Sequence, residues 1–142
     1  MGIILDSSLL IAAERERFDL HAFHSAHPNE TFQIAAITAS ELLHGIERAA
    51  DARTRGHRQR FVEDLLSDYA VAPFGLREAR EHGRLWALLE AGGNLIGPHD
   101  LLIAATALAR KHSLATLNRA EFQRVPGLVL VDTTPFVTAS RR

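Results

Sequence analysis

The fold is decided first by residues 2–13, GIILDSSLLIAA, whose pattern changes at a single acid. Residues 3–5 are consecutive apolar residues, which is typical of a strand buried on both faces of a sheet. After Asp6 a serine can begin a helix that carries the apolar residues 9–13. A carboxylate beside a core is costly unless it is protonated, paired or bound to a cation. The segment therefore predicts a strand, a polar site and a helix in direct succession.

The same alternation continues along the rest of the chain. Further strands are predicted at 32–37, 70–73, 113–117 and 129–131, and helices at 20–27, 38–50, 53–68, 77–91 and 100–111. Short strands separated mostly by helices indicate an α/β fold, with a parallel sheet of about five strands flanked by helices on both faces. The helix at 100–111 is almost entirely apolar and should be buried. In such sheets, sites lie beyond the carboxyl ends of the strands, where the strand order reverses.

Length and composition indicate a single soluble domain. The chain has 142 residues and 46% apolar content, so we expect one domain at 1–135 and a short C-terminal tail at 136–142. No apolar run approaches the roughly 20 residues that a bilayer span requires, and residues 2–13 lack the basic start of a signal peptide. We therefore predict a cytoplasmic protein without membrane contact. The absence of Cys excludes disulfides and thiolate metal sites.

The charged residues carry one further pattern. The net charge is −1, yet fifteen of the sixteen basic residues are Arg and only Lys111 is Lys. Arg suits bidentate phosphate contacts, although a genome rich in Arg codons also explains the bias. A local cluster comprises Arg48, Arg53, Arg55, Arg58 and Arg60. This cluster indicates either a solvated helix face or an electrostatic patch for nucleic acid.

Three acids stand near the predicted starts of helices, and each has a structural explanation. Asp6 could cap the first helix. Glu41 could complete a capping box with Thr38, and Asp100, two residues after Pro98, could cap the N-terminus of the helix at 100–111. Capping does not, however, require three elements that a parallel sheet brings to one edge. The joint pattern therefore favours a shared cation, with oxygen ligands suited to Mg2+ or Mn2+.

Two histidines near these acids are weaker candidates. His44 follows Glu41 by three residues and would share its helix face, but three oxygen ligands for a harder ion are already present. We therefore predict that His44 is not a metal ligand. His99 adjoins Asp100 and could face RNA, but we interpret it as a loop residue, because its sequence position does not fix where the ring points.

Four segments, in this order, resemble the signature segments of PIN-domain ribonucleases, particularly the VapC-type toxins of bacterial toxin–antitoxin pairs: ILDSSLLIA, TASELLHGI, IGPHDLLIAATALA and LATLNRAEFQRVPGL. The resemblance spans nearly the whole chain. It implies a PIN-like three-layer fold with a five-stranded parallel sheet, an acidic pocket holding Mg2+ or Mn2+, and endonucleolytic cleavage of RNA. Carried over by position, the catalytic and metal-binding acids are Asp6, Glu41 and Asp100.

A fourth pocket position departs from the wider family. This position is often Asp in the family and corresponds here to Asn118, which removes one charge and leaves a second metal open. Glu121 could supply the missing carboxylate. Thr116 could hydrogen-bond a metal-bound water, or it could simply bond the backbone at a strand end.

The resemblance also implies partners and a mechanism. Expected partners are an RNA substrate, a VapB-like antitoxin that blocks the acidic pocket, and a second copy in a homodimer. A metal-activated water would attack the phosphodiester, and the activity would fall in acid. Two alternatives remain: a catalytically weak or inactive PIN-like module that binds RNA or protein, and a receiver-like signalling domain. A receiver-like domain needs an acidic pair near the first strand and a Lys after a late strand, whereas Lys111 lies on a predicted helix.

Overall fold

The computed structural model describes residues 2–139 and has a parallel sheet at its centre. Its strands are β1 (Gly2–Leu5), β2 (Thr31–Ala35), β3 (Ala70–Ala72) and β4 (Ser113–Ala115). They lie in the order β3-β2-β1-β4, and every pair is parallel. The predicted α/β class with a parallel sheet is confirmed.

Helices make up the connections and cover both faces of the sheet. They are α1 (Ser7–Glu14), α2 (Leu20–Ala26), α3 (Ala36–Glu47), α4 (Ala52–Asp68), α5 (Leu76–Ala91), α6 (Pro98–Arg110) and α7 (Arg119–Phe122), followed by a 3-10 helix at Thr134–Phe136. Helix α6 is buried along residues 101 and 103–107, as its composition predicts. Within residues 2–139, no helix has both the length and the apolar character needed to cross a bilayer.

The sheet separates two apolar cores, because successive strand residues point to opposite faces. Ile3 and Leu5 face the core shared with α1 to α4, whereas Ile4 faces the core shared with α5 and α6. All three side chains are almost completely buried. The result is the three-layer arrangement that the sequence predicts.

The predicted fifth strand is reduced to a single bridge. Leu130 pairs with Leu114 in parallel orientation, through hydrogen bonds of 2.9 Å from Leu114 N to Val129 O and from Val131 N to Leu114 O. Val129 remains 63% exposed, so this segment lies at the sheet edge with one side in solvent. The prediction of about five strands is therefore corrected to four strands and a bridged segment.

The fold continues past the predicted domain boundary at residue 135. The Phe136 ring lies 5.2 Å from that of Phe23 and 6.2 Å from that of Phe18, measured between centroids. Thr138 Oγ1 donates to the carbonyl of Glu16 at 2.8 Å. Residues 136–138 are thus attached to α2 and to the segment between α1 and α2, and residues 140–142 of the predicted tail lie outside the described residues.

The order of the strands defines where a site can form. The chain moves from β1 outward through β2 to β3 and then returns to place β4 on the other side of β1. This is the topological switch point of an α/β sheet, where the connections leave in opposite directions. The two strand ends are tied together, because Asp6 N donates to the carbonyl of Ala115 at 2.9 Å.

Candidate active site

Asp6 lies at the switch point and is almost completely buried, with 2% exposure. It occupies the N-cap position of α1, but its side chain makes no capping hydrogen bond. Instead, Oδ2 accepts hydrogen bonds from Ser8 Oγ and from Thr116 Oγ1, each at 2.7 Å. Its other oxygen, Oδ1, is buried and has no partner among the described residues. Asp6 is therefore the N-cap residue of α1 by position, but its side chain does not cap the helix by a hydrogen bond.

Two hydroxyl groups fix the Asp6 carboxylate to the loop after β4. Ser8 Oγ accepts from Leu117 N at 3.1 Å, and Thr116 Oγ1 accepts from Asn118 N at 2.9 Å. Each hydroxyl thus accepts from a backbone amide and donates to Asp6, which determines its direction. Thr116 thus bonds the backbone, as one of the two expectations has it, and it also contacts a site acid, whereas its bond to a metal-bound water stays a prediction. Ser8 was missed as a site residue, because a Ser two positions after a strand end is equally typical of a helix start.

Glu41 reaches the site from the second turn of α3. This helix begins at Ala36 with Ala35 as its N-cap, so Thr38 lies inside the helix and cannot form the proposed capping box. Glu41 Oε1 is buried and has no partner among the described residues. Glu41 Oε2 lies 3.5 Å from His99 Nδ1. His99 is therefore not in a loop, since it is the second residue of α6 and faces the acid.

Asp100 belongs to the first turn of α6 and forms a pair with Glu121 of α7. Among the described residues, the side chain of Asp100 accepts from Asn118 Nδ2 and from no backbone amide, so it does not cap α6 by a hydrogen bond. Glu121 Oε1 accepts from Gly97 N at 2.7 Å, and Glu121 Oε2 accepts from Asn118 Nδ2 at 2.8 Å. Asn118 Nδ2 also lies 3.4 Å from Asp100 Oδ2. The predicted residues Asp100, Asn118 and Glu121 are thus neighbours around the N-terminus of α6.

The surroundings of this pair shift the pKa values of its two carboxyl groups in opposite directions. Burial, a hydrogen bond with Glu121 and the negative charges of Asp6, Glu121 and Glu41 raise the pKa of Asp100 to about 7. The backbone amide of Gly97, with hydrogen bonds from Asp100 and Asn118, lowers the pKa of Glu121. In weakly acidic solution the pair therefore holds one proton, which it loses as the pH rises through about 7.

The structure thus gathers every site residue named from the sequence into one region. Asp6, Asp100, Asn118, Thr116 and Glu121 are linked by direct hydrogen bonds through Oδ2 of Asp6 and the β4–α7 loop. Glu41 acts on Asp100 through its charge. Nevertheless, among residues 2–139 no three Asp, Glu or His side chains are arranged to hold a metal ion by themselves.

Comparison with known proteins shows to which family this chain belongs. The model of the PIN domain matches residues 3–128, which is most of the chain. The chain belongs to the PIN-domain family. The site lies within the matched region and contains acids from its start, its middle and its end.

Several PIN-domain relatives match over nearly their whole length. A Rickettsia bellii protein named "Ribonuclease VapC" is 38% identical over 90% of this chain and 93% of that protein. A Salmonella typhimurium protein named "tRNA(fMet)-specific endonuclease VapC" is 32% identical over 83% of this chain and 82% of that protein. The crystal structure of VapBC2 from Rickettsia felis bound to a promoter DNA fragment matches with a TM-score of 0.84 and 28% identity, covering 92% of this chain and 98% of that one. The chain is therefore of the VapC type among PIN-domain nucleases.

Proposed function

We propose that this protein is a Mg2+-dependent endoribonuclease, the toxin of a toxin–antitoxin pair, which cleaves RNA phosphodiester bonds with a water molecule. The observation that carries the proposal is the cluster of acids at the switch point, in which two buried carboxylate oxygens have no partner among the described residues. The names of the VapC relatives support a nuclease acting on RNA.

The donor set at this site fits a hard divalent ion. Asp6 Oδ1 and Glu41 Oε1 are unpartnered buried oxygens, which are costly to leave without a cation or a donor. Asp100 offers a third carboxylate once it is deprotonated. Mg2+ takes few protein ligands and keeps several waters, so it does not need a preformed cage of side chains. We assign these three acids as the residues that would hold Mg2+, or Mn2+ in its place.

The chain's own residues prepare this site for phosphodiester hydrolysis. Ser8 and Thr116 hold Oδ2 of Asp6 and leave Oδ1 available. Asp100 must release its proton to solvent before it can serve as a ligand. When bound, the ion would acidify a water molecule and offset the negative charge that develops on the phosphoryl oxygens.

Glu121 has a different role in this proposal from the three ligands. Both of its oxygens are engaged, one by the amide of Gly97 and the other by Asn118. It therefore anchors the start of α6 and fixes Asp100, rather than standing free to hold a second ion. We propose that one ion is sufficient and that Asn118 acts as a hydrogen-bond donor between the acids.

The proposed partners follow from the relatives. Crystal structures of VapBC assemblies from Rickettsia felis, Haemophilus influenzae and Salmonella typhimurium match this chain with TM-scores of 0.83 to 0.84. We extend this association to the present chain and propose a VapB-like antitoxin as its partner. A homodimer and a cytoplasmic location are proposed on the family resemblance.

The deciding experiment incubates the purified protein with total RNA, with and without Mg2+, and maps the new RNA ends. Asp6→Asn and Asp100→Asn should each abolish the Mg2+-dependent ends. Glu63→Gln, which changes an exposed acid of α4, is the matched control and should cleave like the wild type. Equal cleavage by the wild type and both site variants would refute the mechanism. Mg2+ and RNA binding without cleavage would instead identify a binding module.

A further inference from the structure

A groove leads away from the acidic site between helices α1, α3 and α4. It has a volume of about 790 Å³, and Glu41 and His99 line one part of it. Arg15, Arg48 and Arg58 line it as well. The groove is thus continuous with the candidate active site through Glu41, and three guanidinium groups belong to its walls.

The three arginines are presented to the groove in different ways. Arg58 is fixed, because its Nη1 donates to the carbonyl of Gly45 at 2.9 Å. Arg15 and Arg48 are the residues that follow α1 and α3, and both are exposed. Their guanidinium groups make no hydrogen bond or ion pair with any residue in the range 2–139. Arg55 differs, since it pairs with Glu47 at 3.0 Å and does not line this groove.

A structural explanation accounts for part of this pattern. Basic side chains at the C-terminal ends of α1 and α3 interact favourably with the helix dipoles. That explanation applies to Arg15 and Arg48 separately, but it does not account for Arg58, which lies within α4 and reaches across to α3. It also does not explain why all three arginines line the same groove as Glu41.

We propose that this groove binds the phosphate backbone of the RNA strand that continues beyond the cleaved bond, with Arg48 and Arg58 as its main phosphate contacts. The inference rests on the proposed function and names the surface that holds the substrate. A polynucleotide positioned at the acids must leave them along the surface, and this groove begins there. Arginine matches phosphate through paired donors.

The composition of the groove also indicates the kind of contact. No Phe, Tyr or Trp of the described residues lines it. Base stacking on these three residue types is therefore not the basis of binding here, and the aromatic rings that line the groove are those of His44 and His99. Glu14 and Glu41 are also in the groove wall and oppose the arginines, but the three arginines outnumber these two acids. The groove thus contributes affinity and position rather than a choice of base.

The test measures the binding of a short fluorescein-labelled single-stranded RNA by anisotropy in EDTA, where cleavage is prevented. Arg48→Ala should weaken binding and lower the dependence of log affinity on log salt by about 0.7, the value for one lost phosphate contact on a single strand. Arg58→Ala should act in the same direction, and thermal melting of both variants establishes that they are folded. Arg53→Ala and Arg60→Ala are the matched controls, because both residues are exposed on α4 and outside the groove.

The outcomes separate the groove from the proposed function. Loss of RNA affinity in the groove variants, with unchanged controls, supports the inference. Equal RNA binding by Arg48→Ala, Arg58→Ala and the controls overturns it. If these variants keep RNA binding but lose association with the co-expressed antitoxin, the groove belongs to the protein partner and the inference also fails. Failure of the proposed function appears elsewhere, as absence of Mg2+-dependent cleavage by the wild type.

Discussion

The two carboxylate oxygens of Asp6 have different surroundings. One oxygen receives two hydroxyl donors, while the other is buried without a partner among the described residues. Hydrogen bonds to a ligand's second oxygen fix its orientation, and removal of such a supporting group typically costs 10-fold to 100-fold in metal affinity or activity. Ser8 and Thr116 are therefore positioning residues.

Ser8→Ala tests this role directly. The change removes a donor to Asp6 and leaves the amide of Leu117 without its acceptor, so we expect a loss of about 1–2 kcal/mol in the free energy of unfolding. We also expect activity and Mg2+ affinity to fall by roughly tenfold or more. Urea unfolding measures the first effect, and Mg2+ titration by calorimetry measures the second.

Ser7→Ala is the control for this change. Ser7 adjoins Ser8 at the start of α1, and its hydroxyl makes no hydrogen bond within the part of the chain that the structure describes. It should therefore retain Mg2+ affinity and activity. If Ser8→Ala binds Mg2+ as tightly as Ser7→Ala, Ser8 has only a structural role.

The raised pKa of Asp100 predicts how the metal-free protein responds to pH. Its ordinary value is 3.8 and its value here is about 7, so between these limits the folded state holds a proton that the unfolded state has lost. The stabilisation from this group is complete below the lower value and disappears as the pH rises through 7. Asp100→Asn should therefore melt at a higher temperature than the wild type at pH 8 in EDTA, by more than at pH 5.

The same proton also affects the proposed binding of Mg2+. It stabilises the metal-free fold in acid, but it weakens Mg2+ binding there. Below pH 7 the metal must compete with a proton on Asp100, so apparent Mg2+ affinity should fall by up to about tenfold per pH unit. At limiting Mg2+, cleavage should decline over the same range. A flat profile from pH 5 to 8 at limiting Mg2+ would contradict the assignment of Asp100 as a ligand.

At the level of elements, the start of α3 shows where sequence patterns mislead. Residues 32–37 are a nearly continuous apolar run and predict one strand, yet β2 ends at Ala35 and α3 begins at Ala36. Ile34 and Ala35 are buried and the rest of the run is half-buried, and a short apolar segment does not distinguish strand from helix. The error moved the predicted N-cap to Thr38 and produced the wrong capping box.

Thr38→Val distinguishes these two views of α3. Thr38 is completely buried and its hydroxyl has no partner among the described residues. Replacing it with a group of similar shape removes an unsatisfied polar atom, so the free energy of unfolding should stay the same or rise by up to about 1–2 kcal/mol. A true N-cap would instead lose about 1 kcal/mol. Urea denaturation measures this free energy. A decrease of about 1 kcal/mol would show that Thr38 is an N-cap and would support the capping box.

Helix α6 and strand β1 were predictable because two features of the sequence indicated each of them. Helix α6 combines Pro98 at its start with an almost unbroken apolar composition, and β1 combines three apolar residues with a terminal acid. The acids themselves could be named from their positions, but their hydrogen bonds could not. The bond from Thr116 to Asp6 joins residues 110 positions apart, and no local pattern reports such a contact.

At the scale of the whole molecule, the C-terminal segment is part of the fold. Truncation after residue 135 removes Phe136 from its contacts with Phe18 and Phe23, together with the bond from Thr138 to Glu16. Since Phe136 is only partly buried, we expect a loss of roughly 2 kcal/mol, below the range for a fully buried Phe. Truncation after residue 139 keeps these contacts and is the control. Equal melting of both would restore the boundary at 135.

The distance along the chain between Asp6 and its supporting loop has a consequence for synthesis. Because translation runs from the N-terminus to the C-terminus, the ribosome makes Asp6 110 residues before Thr116. Until Thr116 has been made, β1 has no complete β4 beside it, and Asp6 has neither its second hydroxyl donor nor the loop that follows β4. A nascent chain that still lacks this segment therefore cannot hold the acids in the arrangement of the finished fold.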